Sequence, residues 1–193
     1  MTIIRKLIAI VINLAVVIFV LIIFSLYKLV SFFYTDKNKC FEYFSQTLSI
    51  IPFDFGVHTR RYFYRRALKH CGKKFTTMFG VVLTKQESIV GDNVYINKFT
   101  ILGDVKIGNN TIISQHCSLL SGGKQHVNQR TSEYIKLTIG NDVWIGANSV
   151  IMANIGDNAI IGAGSVVTKK VDHHVTIAGN PATIIKHEGI ISS

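Results

Sequence analysis

Cysteine is scarce in this chain of 193 residues: Cys40, Cys71 and Cys117 are odd in number, and no two of them form a CxxC pair. A disulfide framework and a cysteine-based zinc site are thereby excluded, and a reducing compartment fits. Acid is scarce as well, with 11 Asp and Glu against 21 Lys and Arg and a net charge of +10. From Phe55 to Gln86 there is no acid at all, while Arg60, Arg61, Arg65, Arg66, Lys69, Lys73, Lys74 and Lys85 all fall there. No nucleic-acid-binding motif accompanies this block. Its neighbours Phe41, Tyr43, Phe44, Phe53, Tyr62, Phe63 and Tyr64 are aromatic, which describes a segment lying on anionic headgroups rather than on nucleic acid. Charge is missing entirely from Leu7 to Tyr27, where Asn13 and Ser25 are the notably polar members of 21 residues. As a helix this run measures ~31 Å, enough to cross a bilayer core. Arg5 and Lys6 resemble the n-region of a signal peptide, but the apolar run is too long for one and no small-x-small site follows it, so an uncleaved segment is expected.

Residues 5–34 are therefore expected to form a transmembrane helix or anchor, with Tyr27, Phe32, Phe33 and Tyr34 at the headgroup level. Arg5 and Lys6 flank one end. Lys28, Lys37, Lys39 and the arginine block flank the other, so the larger positive count places the C-terminal part in the cytoplasm and the N-terminus outside. A re-entrant or in-plane helix is the alternative. Residues 35–85 form a basic aromatic interfacial region, helical from about Val57 to His70 and ended by Gly72.

From Val90 the chain has a different rhythm. An aliphatic residue opens each hexad: Val90-GDNVY, Ile96-NKFTI, Ile107-GNNTI, Ile113-SQHCS, Ile139-GNDVW, Ile145-GANSV, Ile155-GDNAI, Ile161-GAGSV. The fifth position is always small or β-branched. A period of six fits neither an amphipathic helix nor an alternating strand. It fits short strands separated by corners, each hexad turning one aliphatic side chain into a shared core, with Gly or Asn tolerating positive φ at the corner. This is the hexapeptide form of a parallel β-helix, over about residues 86–187. The repeat breaks after Leu119, leaving Ser121-GGKQHVNQRTSEY-Tyr134 as an extruded polar loop, and again between Ile151 and Ile155, four residues apart. Extruded loops of solenoids commonly carry function.

The stretch from Ile139 to Lys169 with Ala178-GNPA-Ala182 resembles the hexapeptide-repeat acyltransferases, in their sugar and polysaccharide O-acetyltransferase branch. The resemblance implies a left-handed parallel β-helix, a homotrimer, and acetyl-CoA as donor. It implies direct attack by an acceptor hydroxyl, assisted by a general base. Of the seven histidines, His126 stands in the extruded loop where that family carries its catalytic His; His116, at a hexad corner, is the rival. The resemblance assigns coenzyme A contacts to Ala147 (through its backbone N–H), Ala163, Thr168, Lys169 and Lys186, the lysines meeting phosphate. It assigns acceptor contacts to Asn97 and Trp144. No carboxylate is fixed as partner to His126; Glu133 shares its loop.

Taken with the anchor, these readings predict an O-acetyltransferase on the cytoplasmic side of a bacterial inner membrane. Its acceptor is a membrane-linked glycan precursor of capsule, exopolysaccharide or lipopolysaccharide. An acyl-carrier-protein-dependent transfer is a variant of this reading. A γ-carbonic-anhydrase-like zinc enzyme would need a third histidine near His116 and His126, and none is suitably spaced. A non-catalytic membrane scaffold would bind no coenzyme A. The repeat core excludes the apolar helix, so removing residues 1–34 is expected to leave the enzyme folded.

Overall fold

The computed structural model describes residues 3–122 and 135–187. Among the described residues, three helices, α1 (Ile3–Phe33), α2 (Lys37–Ser49) and α3 (Phe53–Ala67), precede sixteen short strands. The strands wind into a three-faced parallel solenoid of about five turns. The first face stacks β1 (His70–Cys71), β4 (Ile89–Val90), β7 (Val105–Ile107) and β10 (Leu137–Ile139), continued by bridges at Ile155 and Val171. The second stacks β2 (Thr76–Thr77), β5 (Tyr95–Ile96), β8 (Ile112–Ile113), β11 (Trp144–Ile145), β13 (Ile160–Ile161) and β15 (Val175–Gly179). The third stacks β3 (Val82–Leu83), β6 (Ile101–Leu102), β9 (Ser118–Leu119), β12 (Val150–Ile151) and β14 (Val166–Val167).

The register explains the hexads. Ile96, Ile113, Ile145, Ile161 and Ile177 are successive partners on the second face and are 0–4 % exposed, so each coil's inward aliphatic sits on the one below. The fourth hexad position turns the corner in the left-handed region: Asn93, Asn110, Asp142, Asn148 and Asn158 all have φ near +55° to +59°. Asn and Asp tolerate this conformation best after glycine. At the corners between the first and second faces the coils nearly touch. A Cβ on Gly140 would lie 2.6 Å from the backbone nitrogen of Asp157, so only glycine fits.

One expectation is corrected. The solenoid starts at His70, one coil ahead of residue 86; the first coil opens on Cys71-Gly72 in place of Ile-Gly and carries the bulkier Phe75, packed on Tyr64 of α3, at a position that is small in the later coils. The C-terminal segment is a further strand, β16 (Ala182–His187), antiparallel to β15.

The helices are fused to that first coil. Arg60, 1 % exposed, donates to the carbonyls of Leu48, Ser49 and Ile51 and, through Nε, to Thr77. Its guanidinium caps the open C-terminal carbonyls of α2, where the helix dipole is negative, and ties them to β2. Arg61 holds the carbonyl of Phe75 and the hydroxyl of Thr76. Ser45 Oγ receives Leu83 N–H at 2.9 Å and pairs with Tyr64, whose hydroxyl burial pushes up to about 12. Arg60 and Arg61 are thus brackets between helices and solenoid rather than headgroup contacts; Arg65, Arg66, Lys69, Lys73 and Lys74 remain exposed. Sequence reading missed this because burial, not residue type, separates the two roles.

α1 joins the same unit. Val16, Val20 and Tyr27 are buried, the Tyr27 ring packs on Phe41, Phe44 and Phe63, and its hydroxyl donates to Gln86. Removing residues 1–34 would strip this cover from α2 and α3, which corrects the expectation that such a truncation leaves the fold intact.

Candidate active site

All variation in coil length is confined to one corner, between the third and first faces. There the chain takes four residues from Ile151 to Ile155 and four again from Val167 to Val171, whereas the excursion from Leu119 to Ile139 leaves at the same edge. The short corner after Ile151 is therefore a repeated feature that the bridges Ile139–Ile155 and Ile155–Val171 accommodate. His126 and Glu133 lie outside the described residues; the root of their loop does not. Ile135 N–H donates to Ser121 O at 2.7 Å, and Ser121 Oγ accepts from Asp104 N–H at 2.8 Å. Lys136 bridges the Asp104 carboxylate and the Glu87 carbonyl, both at 2.6 Å. These contacts fix where the loop leaves and returns, beside a cleft lined by Leu120, Gly122, Met152, Asn154 and Lys170.

A second set of expected residues lines the opposite corner, between the second and third faces. Ala147 and Ala163 stand there in successive coils, with Asn97 two coils before Ala147. Asn97 accepts Lys98 N–H at 2.8 Å and donates to Gln115 Oε1 at 3.3 Å. The Ala147 carbonyl accepts from Gly164 N–H at 2.8 Å, and a Cβ on Gly164 would meet nothing within 4 Å. This leaves an open, small-residue edge along which a thin ligand can lie. In the same column Phe99 and His116 have φ of 57° without being Gly or Asn. Their rings stack 5.2 Å apart, and Phe79 packs edge-on against Phe99 at 5.6 Å. Backbone strain at two bulky residues was not legible from the hexad pattern.

Trp144 projects outward from the second face, 44 % exposed, with Ile112 and Ile160 as its lateral partners. Thr168 and Lys169 follow β14 at the third-to-first corner, and Lys186 is paired in register with Thr176. Lys169, Lys170, Ala182 and Thr183 line a cleft of about 330 Å³ at the C-terminal end. Lys170 borders both this cleft and the one at the loop root, so the two form neighbouring parts of one edge. Two lysines beside a narrow apolar cleft suit a long anionic ligand such as a coenzyme A arm with its phosphates.

A single protomer does not bring these residues into one site. The loop root and Lys169 share one corner, while Asn97, Ala147 and Ala163 share another, a whole face away. The outward columns between and beside them are mostly apolar: Tyr95, Ile112, Trp144 and Ile160 on the second face, between Thr76 and Thr176 at its ends, and Val82, Ile101, Ser118, Val150 and Val166 on the third. The first face presents His70, Ile89, Lys106 and Thr138. Among the described residues no group of three His, Cys, Asp or Glu gathers as metal ligands. The thiols of Cys40, Cys71 and Cys117 are pushed up by burial, Cys71 to about 12, and are poor nucleophiles.

Two family models match the repeats. Residues 87–120 match "Bacterial transferase hexapeptide (six repeats)", and residues 136–169 match "Hexapeptide repeat of succinyl-transferase". No curated protein matches significantly. Among solved structures, a maltose O-acetyltransferase from Clostridium difficile 630 is similar at 25 % identity over 77 % of this chain and 87 % of its own, TM-score 0.63. A hexapeptide-repeat acetyltransferase from Vibrio cholerae O1 biovar eltor, complexed with acetyl coenzyme A, is 21 % identical over 79 % and 87 %, TM-score 0.65. A galactoside acetyltransferase in complex with coenzyme A is 24 % identical over 79 % and 82 %, TM-score 0.62. At 21 % and 24 % identity the latter two bear on the fold.

Proposed function

We propose that this hexapeptide-repeat solenoid is an acetyl-CoA-dependent O-acetyltransferase, transferring acetyl to a sugar hydroxyl of a membrane-linked glycan precursor at the cytoplasmic face of the bacterial inner membrane. The observation that carries the reading is the solenoid with one extruded loop at a single corner, similar to a maltose O-acetyltransferase. Two neighbours were solved with acetyl coenzyme A or coenzyme A. The apolar α1 and the exposed cations of the helical cap support placement at a membrane, which is where a lipid-borne acceptor would be presented.

In this reading His126 is the general base. Its imidazole takes the proton of the acceptor hydroxyl as that oxygen adds to the thioester carbonyl, and returns it to the departing sulfur. Buried, high-pKa thiols argue against a cysteine acyl-enzyme and so favour direct attack. Trp144 and Asn97 hold the acceptor. Lys169 and Lys186, with Thr168, hold the phosphate end of the donor along the C-terminal coils, while the open edge at Ala147 and Ala163 receives its thinner arm.

The test is release of free coenzyme A from acetyl-CoA on adding an undecaprenyl-linked glycan in membranes or detergent. Acceptor-dependent release supports the reading; no binding of coenzyme A by calorimetry would favour the scaffold alternative. Lys169→Ala and Lys186→Ala are each expected to weaken coenzyme A binding several-fold, and to have less effect on the 3′-dephospho form if they meet that phosphate. Unchanged affinity for both ligands would remove these lysines from the site.

Separation of the candidate residues onto two corners supports a homotrimer in which neighbouring protomers complete each site. Ile112→Glu, which puts a charge into the apolar outward column beside Trp144, is expected to give monomers in light scattering and to abolish turnover. A monomeric variant with full activity would show that each chain carries a complete site.

A further inference from the structure

We propose that α1 lies lengthwise along the surface of the bilayer, one stripe sunk into the lipid and the opposite stripe packed on the protein, instead of crossing the membrane. The inference deepens the membrane placement above and concerns only how the anchor sits.

The buried side chains of α1, Val16, Val20 and Tyr27, recur at helical spacing on one side. Ile10, Leu14, Ile18, Leu21, Leu29 and Phe32 occupy the opposite side and are 47–83 % exposed, forming an apolar stripe interrupted only by the exposed Ser25. Ring contacts set the direction of packing. Phe19 meets Phe55 at 5.4 Å, and Phe24 and Tyr27 meet Phe63 at 6.3 and 5.5 Å, so α1 and α3 run side by side in the same sense.

This arrangement conflicts with a span. The middle of the stretch that would lie in the hydrocarbon, Asn13–Phe33, is packed against α3 from Phe19 to Tyr27. A crossing helix would draw Asp54, His58, Arg61, Arg65 and Arg66 of α3 into the bilayer with it, and Arg61 is bonded to the solenoid. The part of α1 ahead of Val16 is only ~20 Å long at ~1.5 Å per residue, short of the ~30 Å core.

Lipid, rather than a second protein, is the occupant that fits the stripe. From Ile10 to Thr35 there is no acid, and Lys28 is the one charge. Lys28 stands at the flank of the stripe with its ammonium 5.5 Å from the Phe24 ring and 5.9 Å from the Tyr27 ring, turned toward the protein side as a lysine at a lipid–water boundary would be. Phe32, Phe33 and Tyr34 close the end of the helix with exposed aromatics suited to the headgroup level. With the stripe in the lipid, the first coil stands at the membrane surface, joined to α1 through Tyr27 and Gln86.

The experiment places a nitroxide on single cysteines at Leu14→Cys, Leu21→Cys and Leu29→Cys in full-length protein carrying Cys71→Ser, Cys40 and Cys117 being buried. The protein is reconstituted in phosphatidylethanolamine–phosphatidylglycerol vesicles, and depth is read from collision with oxygen and a water-soluble nickel chelate. All three labels are expected at one shallow depth, roughly 5–10 Å below the phosphates. A steady change in depth of ~1.5 Å per residue between Leu14 and Leu29 would mean a spanning helix and overturn the proposal. Labels shielded from both quenchers and broadened by a second nitroxide would mean that another copy of the chain covers the stripe, which also overturns it. Depth is read without acceptor or turnover, so a failure of the acetyltransferase reading leaves this test unaffected.

Discussion

His126→Ala is expected to lower kcat by roughly 10²–10⁴-fold while leaving acetyl-CoA affinity close to that of the unaltered chain. A sugar hydroxyl is a weak nucleophile at neutral pH, and removing the base removes the group that takes its proton as the new bond forms. An imidazole, with a usual pKa near ~6.5, is matched to that task. The donor's phosphates are expected at Lys169 and Lys186, on the C-terminal coils, so deletion of the imidazole should not disturb them. The measurement is kcat by coenzyme A release together with Kd by calorimetry. His116→Ala is the companion variant. Its ring stacks on Phe99 at a left-handed corner, so its loss is expected to act on packing and acceptor binding, with KM changing more than kcat. If His116→Ala abolishes kcat and His126→Ala retains most of it, the corner histidine carries the chemistry.

Arg60→Ala is expected to destabilise the protein by about 3–5 kcal/mol, seen as a lower denaturation midpoint in detergent. The guanidinium is 1 % exposed and is the donor to four carbonyls, three of them at the end of α2. Truncation removes one donor from each of those oxygens, although Ser49 O keeps Gly80 N–H and Leu48 O keeps Ile51 N–H, and it opens a cavity between helices and first coil. Arg60→Lys is expected to rescue little, because one ammonium cannot supply the planar fork that reaches Thr77 and the α2 carbonyls together. Gly56 belongs to the same device: a Cβ there would stand 1.9 Å from the Ile51 oxygen and 2.9 Å from the guanidinium. A loss below about 1 kcal/mol in Arg60→Ala would mean that water replaces the side chain without cost and that the bracket is not structural.

How far the fold was legible depended on how local its determinants were. The hexads specify their own strands and corners, because each inward aliphatic and each corner Asn or Gly acts within six residues and then repeats on itself. The first coil was missed for the same reason: it has a coil on one side only, and on the other Phe75 packs on Tyr64 of α3. Of the site, the residue types and the loop from Ser121 to Tyr134 could be read directly. The distribution of those residues over two corners could not, since positions six apart in sequence fall on different faces.

By itself the sequence determined the solenoid, the long interruption of its repeat after Leu119, the apolar character of α1 and the excess of cations ahead of the repeat. These follow from periodicity and composition, which are properties of neighbouring residues. Tertiary structure alone decided which cations are exposed and which side of α1 packs on the protein. Arg60 and Arg66 are the same residue type in one helix, yet one is buried on the α2 carbonyls and the other lies in water. Likewise α1 is apolar nearly all round, which composition reads as a span. Only the packing of Val16, Val20 and Tyr27 on α2 and α3 divides its surface into a protein side and an exposed side. Hydrophobicity says that a side chain leaves water; long-range contacts decide whether it enters the core of the protein or a membrane.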